Sequence, residues 1–443
     1  MVFNDLYAVS VWDSQGSTGE VCRKLLTLPQ KKGKGEIMEK KAFTLDLQGF
    51  SIWVLMAIVL FGITADVYAA KVRGVTDDTI KVGVILDQTG PAANAVIPLT
   101  AGLRSLTRFI NEQGGMHGRK IKLIVEDDRY SIPMAISSFK KLLFRDEVVS
   151  LIGPTSTNGA VALLKSIEKE KVPTFPASTA ERMVKPFERY VFTIQDIYPG
   201  QMKVIVDYIM KDLKAKNPRI AFVVPDSEAG KADLVPGLER LKSYNLEPAA
   251  KEVLNPGSIE ATSQVMNLKK AKVDYIIICG SLPQPTIVLL RELKKFGLKV
   301  PLFGSWATCN EDVIRMSGDA SELFYAVASM ASWYDEGPGV ARMREITLKY
   351  EPGTEKPYRG KTYTYGWVIG TVKIEAMRRA GRDLDGEALV KSLEGMKIFD
   401  TGGLTGPIGY GPTDHNGGST WKIFKAEPAT GKFIPMTEWR SPK

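Results

Sequence analysis

Histidine and cysteine are nearly missing: the 443 residues hold two of the first and three of the second. His117 lies in a glycine-rich turn and His415 in the turn TDHNGG, neither with a partner at ligand spacing, so both read as surface residues. This scarcity leaves no zinc-binding pattern and little material for proton transfer by imidazole. HExxH and GxSxG are both missing, so neither a zinc-peptidase helix nor a nucleophile elbow is expected. Gly360, Lys361 and Thr362 spell the end of a phosphate-binding loop, but Glu355 stands where the upstream glycine is required. Asp127 and Asp128 close a strand at a turn, where capping accounts for them without a metal. These gaps argue against an enzyme, and they call for no cofactor and no metal.

Long apolar runs are also scarce. One stretch is an exception: Phe50 to Ile63 is uncharged and mostly apolar, follows the basic opening Met38-Glu-Lys-Lys and precedes the small residues of Val67-Tyr68-Ala69. Residues 38–69 therefore read as a secretory signal peptide, which predicts a periplasmic protein; an uncleaved anchor is the alternative. Cysteine is missing from the cleavage region, which argues against a lipoprotein anchor. Residues 1–37 read as a non-native leader or a disordered tail, with Met38 as the true start. Removing residues 1–69 takes away seven basic and seven acidic residues and leaves the net charge at +9. The lysines and arginines are spread along the chain rather than gathered in a stripe, so no nucleic acid is expected. Cys279 and Cys309 remain, each just past a predicted strand; a disulfide is conceivable in an oxidising compartment, and buried free thiols are the preferred reading.

What the chain has in abundance is alternation. From Thr79 onward apolar runs such as IKVGVIL, IKLIVED, VVSLIG and RIAFVV are separated by segments of helical period. Fully apolar strands between helices mean parallel sheets covered on both faces, an α/β, doubly wound arrangement. The pattern restarts after YVFTI, which predicts two lobes, and it closes with a long helix near Tyr363 to Ala380, a shorter one near Gly386 to Leu393, and glycine-rich turns. Ligands of such sheets sit beyond the carboxyl ends of the strands. The loops there are DQTGPAAN, GPTSTNGA, PASTAE, PDSEAGKA, GSLPQP and GSWATCN, and all six carry serine or threonine. Such loops solvate a polar ligand without free charge.

IKVGVILDQTGPAAN, INEQGGMHGRKIKLIVEDD, VVSLIGPTSTNGA, KVPTFPASTAE and VFTIQDIYPGQ, in this order and spacing, resemble the first lobe of type I periplasmic solute-binding proteins of the leucine/isoleucine/valine class. The likeness runs from Thr76 to Pro435. It implies a type I periplasmic binding protein fold, two doubly wound parallel-sheet lobes joined by a three-crossing hinge, which closes on a small molecule and delivers it to ABC transporter permease subunits at the inner membrane. Lobe 1 is expected over 76–196 and 330–397, lobe 2 over 197–329 and 398–443, with crossings near Thr193, Ser329 and Phe399. The resemblance places the first-lobe site at Ser156 and Thr157, beside Thr155, and at Ala177, Ser178 and Thr179, where hydroxyls and helix N–H groups hold a carboxylate. Thr155 or Ser156 as a plain helix cap is the competing reading.

The second lobe departs from the family pattern. Ala229 stands at an aromatic position, Ser281 where a tyrosine usually follows paired glycines, and Trp306 where an acid pairs with the ligand ammonium. Glu311 or Asp312 is a possible substitute for that acid; Tyr130, Tyr198 and Gln284 are secondary candidates for lining the cleft. Trp306 as ordinary packing is the alternative. With the amine anchor missing, an ammonium is costly to bury, so a carboxylate or amide is expected in place of an α-amino acid. A ligand-sensing receptor of the same fold is the alternative to a transporter component.

Overall fold

The computed structural model describes residues 72–350 and 359–442. The segments expected as leader and signal peptide, and Glu355, lie outside the described residues. Among the described residues no helix is long and apolar enough to cross a membrane.

The first lobe opens with β1 (Thr79–Ile85), α1 (Ala93–Glu112), β2 (Lys120–Glu126), α2 (Ile132–Lys140), β3 (Ser150–Ile152), α3 (Thr157–Glu170) and β4 (Thr174–Phe175). Its four strands are parallel in the order β2-β1-β3-β4. Helix α3 shows why these segments fold as they do. Ala160, Leu163, Leu164 and Ile167 recur at helical spacing and are buried, Ser156 caps the first turn, and Lys171 ends it in the left-handed region at φ 51.

The second lobe runs through α4 (Tyr198–Asp207), β5 (Ile220–Val224), α5 (Glu228–Lys242), β6 (Ala250–Val253), α6 (Thr262–Lys270), β7 (Tyr275–Ile278), α7 (Pro283–Lys295), β8 (Leu302–Gly304), α8 (Glu311–Ser317) and β9 (Phe324–Ala328). The chain then adds α9 (Pro338–Tyr350), α10 (Lys361–Ala380) and α11 (Gly386–Glu394) to the first core, and β10 (Lys422–Glu427) and β11 (Lys432–Pro435) to the second sheet. The second sheet is ordered β11-β10-β9-β8-β7-β5-β6, parallel except at β10 and β11. Helices α1 and α10 cross at backbone contact: a Cβ on Gly102 would stand 2.4 Å from the Tyr363 carbonyl oxygen, and one on Gly366 2.0 Å from that of Leu99.

Three stretches of chain lie side by side between the lobes. Thr193 N donates to the His415 carbonyl at 3.0 Å, and Ser329 Oγ donates to Gln195 Oε1 at 2.6 Å. Asp196 ties the bundle, accepting from Asn416 Nδ2 and from Trp421 Nε1, each at 3.0 Å. The third passage comes later than Phe399. Phe399 pairs with Ile408, and Leu404, Ile408 and Tyr410 stay in the first core, so the chain leaves for the second sheet between Tyr410 and Trp421. Glycine-rich turns carry no periodicity that would have marked this excursion.

His415 is not a surface residue. It is fully buried, its ring stacked on Phe192 with centroids 3.8 Å apart, and burial pulls its pKa down. His117 reaches the Arg378 carbonyl at 3.2 Å. Cys279 and Cys309 are free thiols, both buried.

Candidate cleft between the lobes

In sheets of this topology the ligand crevice forms where the strand order reverses. In the first sheet that point lies between β1 and β3, in the second between β5 and β7. The loops after these four strands, with the one after β8, meet around a small cavity of about 50 Å³. It has room for only a few water molecules. The walls are therefore closed on one another, and a larger guest requires them to part.

The first-lobe wall is built from several separate contacts. Asp87, at the end of β1, accepts from Ala92 N at 2.7 Å and from Thr89 N at 3.2 Å, which curls the loop so that Ala92, Ala95 and Val96 face the cavity. Thr155 Oγ1 accepts from Asp87 N at 2.6 Å, and Thr155 N donates to Asp128 at 2.9 Å. Asp128 also accepts from Tyr130 N at 3.0 Å, holding Arg129 and Tyr130 at φ 47 and 59, a region that side chains seldom adopt. Tyr130 lines the cavity from that turn. Burial raises the pKa of Asp128 and of the Tyr130 phenol. Asp87, Asp127 and Asp128 lie close together, and their oxygens are occupied by N–H and hydroxyl donors of these loops, so capping accounts for them.

Of the nine residues singled out from the sequence, Thr155, Thr157, Ala177, Ala229, Ser281 and Trp306 line the cavity together. Ser156, Ser178 and Thr179 do not. Ser156 Oγ is spent on Gly159 N at 3.0 Å as the cap of α3. Ser178 stands behind the wall with its hydroxyl 2.9 Å from that of Thr157, and Thr179 Oγ1 accepts from Gln195 Nε2 at 3.4 Å. Tyr198 lines the cavity and reaches toward Ser178 at 3.5 Å. Gln284 is exposed outside the lining. Glu311 does not supply a missing acid either: it is buried against Lys361 at 3.1 Å, away from the lining.

The second-lobe wall depends on one long-range network. Asp233, on the second turn of α5, is fully buried and accepts from Gly280 N at 2.6 Å and from Gln201 Nε2 at 2.7 Å. Gln201 Oε1 in turn accepts from Trp306 N at 2.9 Å. A backbone N–H only donates, so the orientation of the Gln201 amide is fixed. Burial pushes the Asp233 carboxyl up to about 7, against the pull of these two donors. Trp306 rests against Tyr365, ring centroids 5.2 Å apart, and packs against the cores of both lobes. Ser305, beside it in the lining, is 1% exposed, and its hydroxyl has no hydrogen-bond partner among the described residues.

Asp233 and Ser305 were not foreseen. Ser305 lies in a loop the strand pattern had marked. Asp233 is one acid within a helix, and only its burial against residues 32 and 47 positions away distinguishes it. Lysine, arginine and histidine do not occur in the lining, among the described residues. Charge compensation for an anion falls to hydroxyls and to the helix N-termini at Thr157 and Ala229, the one at Ala92 being taken by the Asp87 carboxylate.

Comparison with known proteins agrees with this architecture. A family profile described as "Periplasmic binding protein" matches residues 79–432. The leucine-, isoleucine-, valine-, threonine-, and alanine-binding protein of Pseudomonas aeruginosa is 25% identical over 334 residues, 75% of this chain and 86% of that one. The leucine-specific-binding protein of Salmonella typhimurium is 22% identical over 327 residues, 74% of this chain and 86% of that one. Among solved structures, a branched chain amino acid ABC transporter protein from Thermus thermophilus with bound valine superposes with a TM-score of 0.77 at 24% identity, covering 83% of this chain and 97% of that one. A fatty acid ABC transporter substrate-binding protein from Thermomonospora curvata gives 0.74 at 22%, covering 83% and 94%. With the profile spanning most of its length, the chain belongs to the periplasmic binding protein family.

Proposed function

We propose that this chain is the periplasmic capture component of an ABC importer, and that its cleft favours a small carboxylate or amide over an α-amino acid. The observation that carries this reading is the lining itself. Hydroxyls and a helix N-terminus on the first lobe face an indole on the second, and the one charged side chain, Asp233, already accepts from two N–H donors. An acceptor group of the ligand would sit at Thr155, Thr157 and the first turn of α3, near Ala177. Ala229, Ser281 and Trp306 would close over the remainder, a role in binding that the residue chemistry supports.

Capture follows from differential contacts. A ligand held first by one lobe and bridged by the second stabilises the closed arrangement over the open one by the contacts it gains only on closure. The passages near Thr193, Ser329 and Tyr410 to Trp421 would act as the hinge, and the closed rim would be the surface a permease meets.

Thermal-shift screening tests the specificity. Leucine, isoleucine and valine are expected to raise the melting temperature less than a member of a set of short acids and amides. A larger rise with valine than with every acid and amide would remove the preference. Small-angle scattering that shows no compaction with any of these compounds would remove the capture reading.

A further inference from the structure

Ser305 and Asp233 stand on the same wall of the cavity. Gln201 ties the two positions together: its amide donates to Asp233 on α5 at 2.7 Å and accepts at 2.9 Å from the backbone N of Trp306, the residue next to Ser305. Ser305 offers a buried hydroxyl that nothing in the described protein uses. Asp233 offers a carboxylate whose oxygens each hold one donor and keep a second lone pair free. We propose that Asp233 and Ser305 form an acceptor and donor pair that reads a primary carboxamide, with the ligand's N–H donating to Asp233 and its carbonyl accepting from Ser305.

This deepens the capture reading and rests on it. A carboxylate of the same shape presents acceptors to both groups, so one of its oxygens faces Asp233 with like charge in a space closed to water. A neutral amide satisfies both groups at once. A site built to bond a particular N–H rejects an analogue that lacks it more strongly than an apolar pocket rejects a change of shape. The titratable groups that face Asp233 are Tyr198 from α4 and Cys279 at the end of β7, both pushed up by burial and neutral at pH 8.

Propionamide against propionate, and benzamide against benzoate, differ in the group that the pair reads. Calorimetry at pH 8 is expected to favour each amide that binds over its acid by about tenfold or more. Asp233→Asn is expected to erase that preference. Ser305→Ala removes no hydrogen bond within the protein, so it keeps the fold, and it is expected to weaken amide binding by about two- to tenfold. Acids that bind the unaltered protein as tightly as their amides overturn the proposal, as does unchanged amide affinity in Ser305→Ala. If leucine compacts the protein in scattering while neither amide binds, this inference fails and the capture reading stands. If leucine, the amides and the acids all fail to compact it, the capture reading itself fails.

Discussion

The two walls of the cleft are made in opposite ways. On the first lobe, Thr155 bonds within the loops of β1 to β3, and Ser156 and Thr157 bond to Gly159 and Ser178; several independent contacts hold the shelf. On the second lobe, two loops and two helices hang on Gln201 and Asp233, which reach partners 32, 47 and 105 residues away. A wall of separate contacts loses one contact at a time. A wall built on a single buried network is exposed to one substitution, because each unpaired group left behind carries its own desolvation cost.

The largest expected effect separates the walls by charge. Asp233 titrates near 7 in the folded chain against 3.8 for an ordinary aspartate. The folded state therefore binds more protons than the unfolded state between those values, and stability falls as pH rises through that window, by up to about 4 kcal/mol. Asp128 and Asp196 are also raised by burial, so the measure is the difference between the unaltered protein and Asp233→Asn in denaturant unfolding at pH 4 and pH 8. Parallel pH profiles for the two proteins would show that the second wall carries no buried charge of consequence.

Next comes the network itself. Gln201→Ala leaves Trp306 N without its acceptor and takes one donor from Asp233, for an expected loss of about 3 kcal/mol. Equal losses in Gln201→Ala and in a single change on the first wall would break the distinction. The smallest effect is that first-wall change: Thr157→Val removes the bond to Ser178 and keeps the shape, for an expected loss of about 1 kcal/mol by urea denaturation. A loss of several kcal/mol there would mean that the shelf, too, is one cooperative unit.

The same contrast explains what could be read before the structure was known. Strands such as β1 and β5 are short, apolar and bounded by turns, and α3 repeats its buried residues at helical spacing, so both patterns survive in the linear order of residues. The hydroxyl loops were legible because strand ends in a doubly wound sheet are where ligands go. Ser156 shows the limit of that rule, since a cap and a ligand contact have the same residue type at the same place. Asp233 was illegible for a different reason: a lone acid in a helix is usually solvated, and only tertiary packing turns it inward. His415 was misplaced likewise, because a turn rich in glycine and asparagine reads as surface, whereas here Phe192 and Phe187 cover the ring.

Cys279 and Cys309 are both fully buried, and burial raises the pKa of each thiol. Maleimide dyes attack thiolates that solvent can reach, so the folded chain from residue 72 onward would stay dark to such a reagent. A single Glu181→Cys or Lys231→Cys change, at positions on opposite sides of the outer groove between α3 and α5, would then be the one site to take a fluorophore there. Its emission would turn this protein into an optical gauge of its own guest.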